Sequence, residues 1–326
     1  MTFLFRPAVR ENVGLLIGLI GSSGSGKTYT AMRLASGICG GNPFAVIDTE
    51  AGRAKHYADQ FKFDHGDLKP PFRPSAYAEA IEAADKAGYP VIVVDSCSHE
   101  WAGDGGVLDW QEEELERMAG DDYAKRERVK MAAWIKPKMG HKAMIQRLLQ
   151  VRAHLILCFR AEEKIEMVKN PSTGKLEIMP KKSPTGLDGW MPVCEKNVPY
   201  ELTASFLLLA AAPGIPHPIK LQEQHCALFP LDKPITEESG RLIAQWASGS
   251  ASTLSAHPLP EKLNATGLPA LIDWQQEAVL KERCEAAGIS IADLCSAAKV
   301  LKLSEILAED FARATAWIEK KQRRHA

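Results

Sequence analysis

Short runs of apolar residues alternate along most of the chain with segments whose apolar residues recur every three or four positions. Five of these runs are short and rich in branched residues, as buried strands are, and they cover 15–20, 44–47, 91–94, 154–159 and 202–209. The helical period predicts a helix over 77–86 and a longer helical segment near 122–151 that is interrupted at Pro137. Strands that alternate with helices are typical of an α/β fold with a mainly parallel, twisted sheet flanked by helices.

Two regions depart from this alternation. Residues 161–200 are rich in Lys, Pro and Gly, and 170–174 has the composition of a hairpin turn. Residues 248–267 are rich in Ser, Ala and Pro, as flexible linkers are, whereas 268–321 returns to a helical period. The pattern therefore predicts four parts, which are an N-terminal arm (1–12), an α/β domain (13–247), a linker (248–267) and a small all-α domain (268–326).

Composition narrows the class of protein without pointing to a function. The chain has 326 residues, of which 45% are hydrophobic and 25% charged, as in ordinary globular proteins. Its net charge of −1 means that contact with nucleic acid needs a local basic patch. The seven cysteines form no C-x-x-C pair, which argues against a disulfide framework or a zinc site. With no signal-peptide pattern and no membrane-length apolar stretch, we expect a cytoplasmic protein that makes no membrane contact.

One motif carries most of the functional information. The run that matches the phosphate-binding pattern G-x-x-x-x-G-K-[ST] consists of Gly21, Ser22, Ser23, Gly24, Ser25, Gly26, Lys27 and Thr28. It lies between a predicted strand and a predicted helix, where glycines let backbone N–H groups surround an anion and the helix adds its dipole. Lys27 is expected to contact the β- and γ-phosphates, Thr28 to coordinate Mg²⁺, and Tyr29 to complete the nucleotide-binding set. The sequence predicts a nucleoside triphosphate site.

Two carboxylates follow predicted strands and complete this site. Asp95 ends the run 91–94 and is expected to hold Mg²⁺ together with Thr28. No acidic residue follows Asp95 directly, so the group that activates water must come from elsewhere. Glu50 follows the run 44–47, and the carboxyl ends of parallel strands meet at one edge of a sheet. Glu50 is therefore the candidate catalytic base, with a helix cap or a surface carboxylate as the alternative.

These motifs together resemble the core of the RecA recombinase family. The resemblance rests on the phosphate-binding loop, on Phe-Ala-Val-Ile-Asp-Thr-Glu ending at Glu50 and on Val-Ile-Val-Val-Asp-Ser around Asp95, and it covers about 13–230. Within the family the chain looks most like the core-only RecA-like ATPases of bacteriophages and prophages. The resemblance implies ATP and Mg²⁺ as cofactors, a catalytic role for Glu50, and annealing or strand exchange on single-stranded DNA. It further implies a homo-oligomeric ring or filament in the cytoplasm of a bacterial host cell.

The chain departs from RecA at the position of its γ-phosphate sensor. RecA carries a glutamine that senses the γ-phosphate near the end of the fourth strand, where this chain has Cys158 or Phe159. Arg160 is the nearest polar candidate for this catalytic role, and a plain salt bridge is the alternative. The arm also contains Phe5-Arg6-Pro7-Ala8, which fits the F-x-x-A hook of recombinase subunits, although so short a motif favours a core-packing Phe5 over a hook.

A basic segment after the fourth strand is the first candidate for DNA contact. Its lysines and its aromatic residue suit a single strand, because cations follow phosphates while an aromatic ring stacks on a base. The residues predicted to bind DNA are Lys164, Lys169, Lys175, Lys181, Lys182 and Trp190. Acidic neighbours dilute this patch, so a solvated hairpin is an equal alternative, and a second basic stretch over 125–142 is as plausible.

Two other functions remain open at this stage. The first is a nucleotide-switched interaction module, a loader or regulator of replication or packaging proteins with little turnover. The second is a small-molecule kinase, which the absence of an Arg-rich lid disfavours. The C-terminal helices could dock on single-strand-binding protein or on DNA, or could serve as a stabilising cap.

Overall fold

The computed structural model describes residues 13–169, 176–183, 189–249, 272, 274–298, 300, 302–303 and 306–325. The chain divides into two compact units, Met1–Leu254 and Ser255–Ala326. The predicted arm, with its F-x-x-A motif, and most of the predicted linker lie outside the described residues. Among the described residues, no helix is both long and apolar enough to cross a membrane.

A mainly parallel sheet forms the centre of the first unit. Its strands and those of the hairpin are β1 (Leu16–Gly21), β2 (Phe44–Asp48), β3 (Phe63–Asp67), β4 (Val91–Asp95), β5 (His154–Glu163), β6 (Ile165–Lys169), β7 (Leu176–Pro180), β8 (Trp190–Pro192), β9 (Ala204–Leu209) and β10 (Ala212–Lys220). The order across the sheet is β10-β9-β1-β5-β4-β2-β3, with β10 antiparallel at one edge. β5 therefore lies between the strand that leads into the glycine-rich loop and the strand that ends at Asp95. The predicted α/β fold is confirmed.

Helices cover both faces of this sheet. The α-helices of the described residues are α1 (Lys27–Ile38), α2 (Pro74–Lys86), α3 (Ser98–Ala102), α4 (Val107–Ala119), α5 (Tyr123–Ala133), α6 (Ile135–Leu148), α7 (Val198–Glu201), α8 (Glu237–Ala247), α9 (Trp274–Ala286), α10 (Ile291–Ala298) and α11 (Phe311–His325). One apolar cluster joins the sheet to α1 and α8, and a second joins it to α2 and α6. Because both faces are covered, the central strands are apolar at consecutive positions rather than at alternate ones.

The helices α1 and α8 pack at unusually short distance. A Cβ added to Gly37 would lie 2.0 Å from the carbonyl oxygen of Glu237, and one added to Gly240 would lie 2.3 Å from that of Leu34. Arg33 reinforces the same contact with a bidentate ion pair to Glu237, at 2.6 Å for the shortest N–O distance. This contact fixes the helix that begins at the phosphate-binding loop.

The long predicted helical segment breaks earlier than its proline. α5 ends at Ala133 and α6 begins at Ile135, so Pro137 lies in the first turn of α6 rather than at the break. A helix leaves its first N–H groups without intrahelical partners, and the missing N–H of a proline therefore costs little there.

A two-stranded hairpin projects from the end of β5. β6 and β7 pair antiparallel, as the turn composition predicts, although 170–174 itself lies outside the described residues. Backbone hydrogen bonds close the base of the hairpin, where Lys181 N–H donates to the Lys164 oxygen and Lys164 N–H to the Gly189 oxygen, at 2.8 and 2.7 Å. β8 then returns along β5 in antiparallel pairing.

The second unit is helical, as expected. α9, α10 and α11 surround a separate apolar cluster that includes Leu280, Leu294 and Ile318, each at most 2% exposed. Within α11, Ala314 and Ile318 are buried and Phe311 packs against the cluster.

Candidate nucleotide site

The glycine-rich loop joins the carboxyl end of β1 to the first turn of α1. Gly24 and Gly26 have φ angles of +76° and +83°, a conformation that glycine adopts without strain. A Cβ on Gly21 would lie 2.4 Å from the Leu208 oxygen, whereas one on Gly24 would meet no atom within 4 Å. The loop is thus packed against the sheet on one side and open on the other, which fits an anion cradle at a helix N-terminus.

Lys27 and Thr28 stand at the start of α1. Lys27 Nζ donates hydrogen bonds to the backbone oxygens of Gly21 and Ser22, at 2.8 and 2.7 Å, so the side chain lies along the loop. Burial lowers the pKa of the Lys27 ammonium group, and the nearby Asp95 and Glu50 carboxylates partly oppose this shift. A cation held beside two carboxylates and a loop of backbone N–H groups is placed to contact phosphate oxygens.

Asp95 and Thr28 are direct neighbours. The Thr28 hydroxyl donates to Asp95 Oδ2 at 2.5 Å, which joins the loop to the end of β4. Burial raises the pKa of Asp95 to about 6, although the hydrogen bond from Thr28 acts in the opposite direction. Mg²⁺ prefers hard oxygen ligands, and this hydroxyl and carboxylate supply two of them in one place. The residues therefore fit a magnesium ion.

Glu50 is positioned by a buried carboxylate two residues before it. Asp48, which is 1% exposed, accepts hydrogen bonds from the backbone N–H groups of Glu50 and Ala54, at 2.6 and 2.9 Å. The chain between these groups turns sharply, with positive φ angles at Ala51 and Gly52. Asp48 thus fixes the turn that follows β2. None of the motifs in the sequence analysis indicates this role of Asp48.

Two arginines hold the Glu50 side chain. Arg160 Nη2 lies 2.7 Å from Glu50 Oε1, and Arg53 Nη1 lies 2.9 Å from Glu50 Oε2. The Glu50 side chain is 14% exposed, while that of Arg160 is 50% exposed. The predicted base and the predicted sensor are therefore in contact, and the salt-bridge alternative for Arg160 describes this conformation.

The loops after β2 and β4 are tied together behind these side chains. Thr49 Oγ1 accepts a hydrogen bond from Ser96 N–H at 2.9 Å, donates to the Ser96 oxygen at 3.0 Å and lies 2.8 Å from His99 Nδ1. Burial lowers the pKa of His99, and Arg160 adds to the shift. In the part of the chain that the structure describes, no group of three or more His, Cys, Asp or Glu residues could hold a metal.

Tyr29 lies on the exposed side of α1. Its ring is 40% exposed and contacts the rings of Tyr57 and Phe61, with centroids 5.8 and 5.6 Å away. The Arg33 guanidinium lies over the same ring at 5.9 Å. An aromatic side chain therefore follows the glycine-rich loop, and its part in nucleotide binding stays a prediction.

The predicted DNA-binding residues are spread along the hairpin and its base. Lys164, Lys181 and Lys182 are exposed, and Lys164 Nζ lies 3.6 Å from a Glu162 carboxylate oxygen. Trp190 is half-buried against the apolar cluster on the α2 face of the sheet. The Lys169 side chain and Lys175 lie outside the described residues.

The hairpin is more apolar than its lysines suggest. Large apolar side chains project from it into solvent, with Met167 73%, Ile178 69%, Leu176 68% and Ile165 63% exposed. Cross-strand pairing places Met167 opposite Ile178 on one face of the ribbon.

Comparison with known proteins gives one family. Residues 14–193, more than half of the chain, match the AAA_24 family model, described as an AAA domain. The crystal structure of the RadB recombinase is similar to this chain at 15% sequence identity, over 62% of this chain and 76% of that one, with a TM-score of 0.28. No protein with a curated description matches the chain.

Proposed function

Because this chain belongs to the AAA domain family, we propose that it is a RecA-like P-loop ATPase of phage or prophage type, which hydrolyses ATP to drive recombination on single-stranded DNA. The observation that carries the proposal is the convergence of three strand ends. Lys27 and Thr28 follow β1, Glu50 follows β2, and Asp95 ends β4, with Thr28 and Asp95 in direct contact.

Each group has one task in hydrolysis. The backbone N–H groups of the loop and the Lys27 ammonium group bind the phosphate oxygens of ATP, while Tyr29 flanks the nucleotide. Thr28 and Asp95 hold Mg²⁺, which neutralises charge on the β- and γ-phosphates when it is bound. Glu50 orients the attacking water and accepts its proton.

Arg160 is proposed as the group that responds to the γ-phosphate. Its guanidinium ion-pairs with Glu50, and the γ-phosphate would compete for the same cation because phosphate binds guanidinium in bidentate form. Exchange of partners would free Glu50 Oε1 for water, while Arg53 keeps its contact with Oε2. The exchange would also move the root of the hairpin, since Arg160 belongs to β5.

DNA contact and assembly complete the proposal. ATP binding orders the basic segment that follows β5, where Lys164, Lys181 and Lys182 face solvent, and hydrolysis releases the strand. The protein acts as a homo-oligomer, a ring or filament along the strand, and the C-terminal helices dock on single-strand-binding protein.

The test is an ATPase assay with and without DNA. We expect single-stranded DNA to raise the turnover, and Lys27→Ala to abolish it while the circular dichroism spectrum stays unchanged. An unchanged rate with every polynucleotide would reject the DNA part of the proposal, and activity retained in Lys27→Ala would reject the site.

The second candidate is a nucleotide-switched interaction module with little turnover. Two observations favour it, which are the double ion pair that engages Glu50 and the exposed apolar side chains of the hairpin. Tight ATP binding with negligible hydrolysis, together with a stable complex with a replication or packaging protein, would select this candidate.

A further inference from the structure

A stripe of basic and apolar side chains runs along the outer surface of α5 and α6. It consists of Arg128, Met131, Ile135, Lys138, Met139 and Lys142, whose spacings of three and four residues place them on one side of a helical segment. The apolar members are unusually open to solvent, with Met131 81%, Met139 66% and Ile135 59% exposed. Isolated apolar residues on a surface are ordinary, whereas a row of three between cations indicates a binding surface.

The charge around this stripe is strongly positive. Residues 123–142 contain seven Lys and Arg and one acidic residue, Glu127. Three of the cations have carboxylate partners, in the ion pairs of Arg126 with Glu112, Lys130 with Glu127 and Lys136 with Glu114. The other four lie within 4 Å of no carboxylate among the described residues, and they are Lys125, Arg128, Lys138 and Lys142. The ligand of this surface must therefore bring negative charge as well as apolar surface.

We propose that the α5–α6 stripe binds a nucleic acid strand with unpaired bases, whose phosphates contact Arg128, Lys138 and Lys142 and whose bases pack on Met131, Ile135 and Met139. This inference rests on the proposed function, because it names the surface that holds the strand. The stripe lies outside the hairpin, so it is a second and separable candidate for the DNA site.

The apolar side chains of the stripe favour a single strand over other negatively charged ligands, such as a duplex or a lipid surface. A duplex hides its bases and offers only phosphates to such a surface, whereas a single strand exposes flat aromatic rings to which thioether sulfur binds favourably. A lipid surface needs a broad apolar face rich in Trp, Phe and Leu, and three side chains one row wide do not form one.

The stripe is connected to the nucleotide site through α3. Trp134, between α5 and α6, stacks on Trp101 with centroids 6.0 Å apart and planes inclined by 20°. His141 on α6 lies 2.9 Å from the Glu100 carboxylate, and both Glu100 and Trp101 belong to α3, which begins three residues after Asp95. Ser98 Oγ in the same helix accepts a hydrogen bond from Arg160 N–H at 2.8 Å. A strand bound on the stripe would therefore act on Asp95 and Arg160 through packed side chains.

The test compares three variants of the full chain that each remove three positive charges. They are Arg128→Ala/Lys138→Ala/Lys142→Ala in the stripe, Lys164→Ala/Lys181→Ala/Lys182→Ala in the hairpin, and Lys62→Ala/Lys86→Ala/Lys233→Ala as the control on other exposed positions. Binding to a 40-nucleotide oligo(dT) is measured by fluorescence anisotropy over a range of salt concentrations, with thermal melting to verify folding. Each phosphate contact to a single strand contributes about −0.7 to the slope of log K against log salt concentration. Removal of three contacts should therefore make the slope of the stripe variant shallower by about 2 and lower its affinity about 100-fold at 0.1 M salt.

A second arm tests the base contacts. Met131→Ser/Met139→Ser should reduce the preference for oligo(dT) over a duplex of equal length and leave duplex affinity within about twofold. Stimulation of ATP turnover by oligo(dT) should be lost in the stripe variant and kept in the control variant.

The outcomes separate this inference from the proposed function. If the natural sequence binds oligo(dT) and only the hairpin variant loses binding, the inference is wrong and the proposed function stands. If the natural sequence binds no oligo(dT), the DNA part of the proposed function fails with it. Binding of the stripe to anionic phospholipid vesicles in place of oligo(dT) would also overturn the inference.

Discussion

The buried pair of Glu100 and His141 allows a prediction whose magnitude follows from the structure. The Glu100 side chain is 2% exposed, and within the described chain its carboxylate has one side-chain partner, His141 Nδ1 at 2.9 Å. Burial raises the pKa of Glu100 above its usual 4.5, although the hydrogen bond to His141 acts against the rise. His141→Ala would leave this carboxylate buried without its partner, and such a change destabilises a protein by about 3–5 kcal/mol.

The part of this loss that belongs to the carboxylate can be isolated. A buried carboxylate can take up a proton, so keeping its charge buried never costs more free energy than protonating it at the same pH. In the His141→Ala background this cost therefore has a ceiling, which is set by the unfolded pKa of 4.5. That ceiling is about 3 kcal/mol at pH 7 and below about 1 kcal/mol at pH 5. A carboxyl group whose pKa is raised by folding destabilises the folded state at pH values above its unfolded pKa. This destabilisation disappears as the pH falls towards the unfolded pKa. Gln is the neutral analogue of protonated Glu, so Glu100→Gln should recover this amount.

The assay is urea unfolding of His141→Ala and of Glu100→Gln/His141→Ala, at pH 7 and at pH 5. Both variants lack the imidazole, so titration of His141 cancels from the comparison. Trp101 packs against His141 and Trp134 stacks on Trp101, so tryptophan fluorescence reports the transition. We expect the double variant to be more stable by up to about 3 kcal/mol at pH 7 and nearly equal at pH 5. A difference independent of pH, or no recovery at pH 7, would refute the assignment of a buried carboxylate to Glu100.

Three further predictions concern the site, the helix contact and the thiols. Glu50→Gln should lower kcat by about 100-fold or more and keep ATP binding, because it removes the proposed base and keeps the shape of the side chain. Steady-state kinetics with a binding titration checks this prediction, and an unchanged kcat would contradict it. Gly37→Ala should cost about 1–3 kcal/mol in urea unfolding because its Cβ would clash with a backbone oxygen, whereas Gly66→Ala, whose Cβ would lie 3.7 Å from the nearest atom, is the mild control. Burial raises the pKa of the Cys158 thiol, so iodoacetamide should modify Cys226 well before Cys158 at pH 8. Peptide mass spectrometry measures the two rates, and equal rates would contradict the burial of Cys158.

Much of the site could be predicted because its chemistry is local in sequence. The loop from Gly21 to Thr28 needs glycines, a lysine and a hydroxyl in fixed order, and Asp95 follows a run of four buried branched residues. Side chains that contact each other only in the folded protein could not be predicted from the sequence. The pairing of Glu50 with Arg160 spans 110 positions, and nothing in either segment indicates the other.

The fold shows the same division. Strands with continuous apolar runs, such as β1 and β4, are visible in the sequence because both their faces are buried. β3 and β10 are edge strands with half-exposed or proline-containing sequences, which carry no strong periodic signal. The helix α4 was likewise not predicted, since its acidic surface leaves few buried positions.

Asp48 shows that the residue which sets the geometry of a proposed catalytic group can lie beneath that group. Its two oxygens act as a template on which the backbone from Glu50 to Ala54 is folded, while its side chain is 1% exposed. An engineer who randomised only the side chains that face ATP would leave this template untouched. Conversely, a conservative exchange of Asp48 for Glu would lengthen the template by one methylene and displace the Glu50 carboxylate while every residue of the candidate nucleotide site kept its identity.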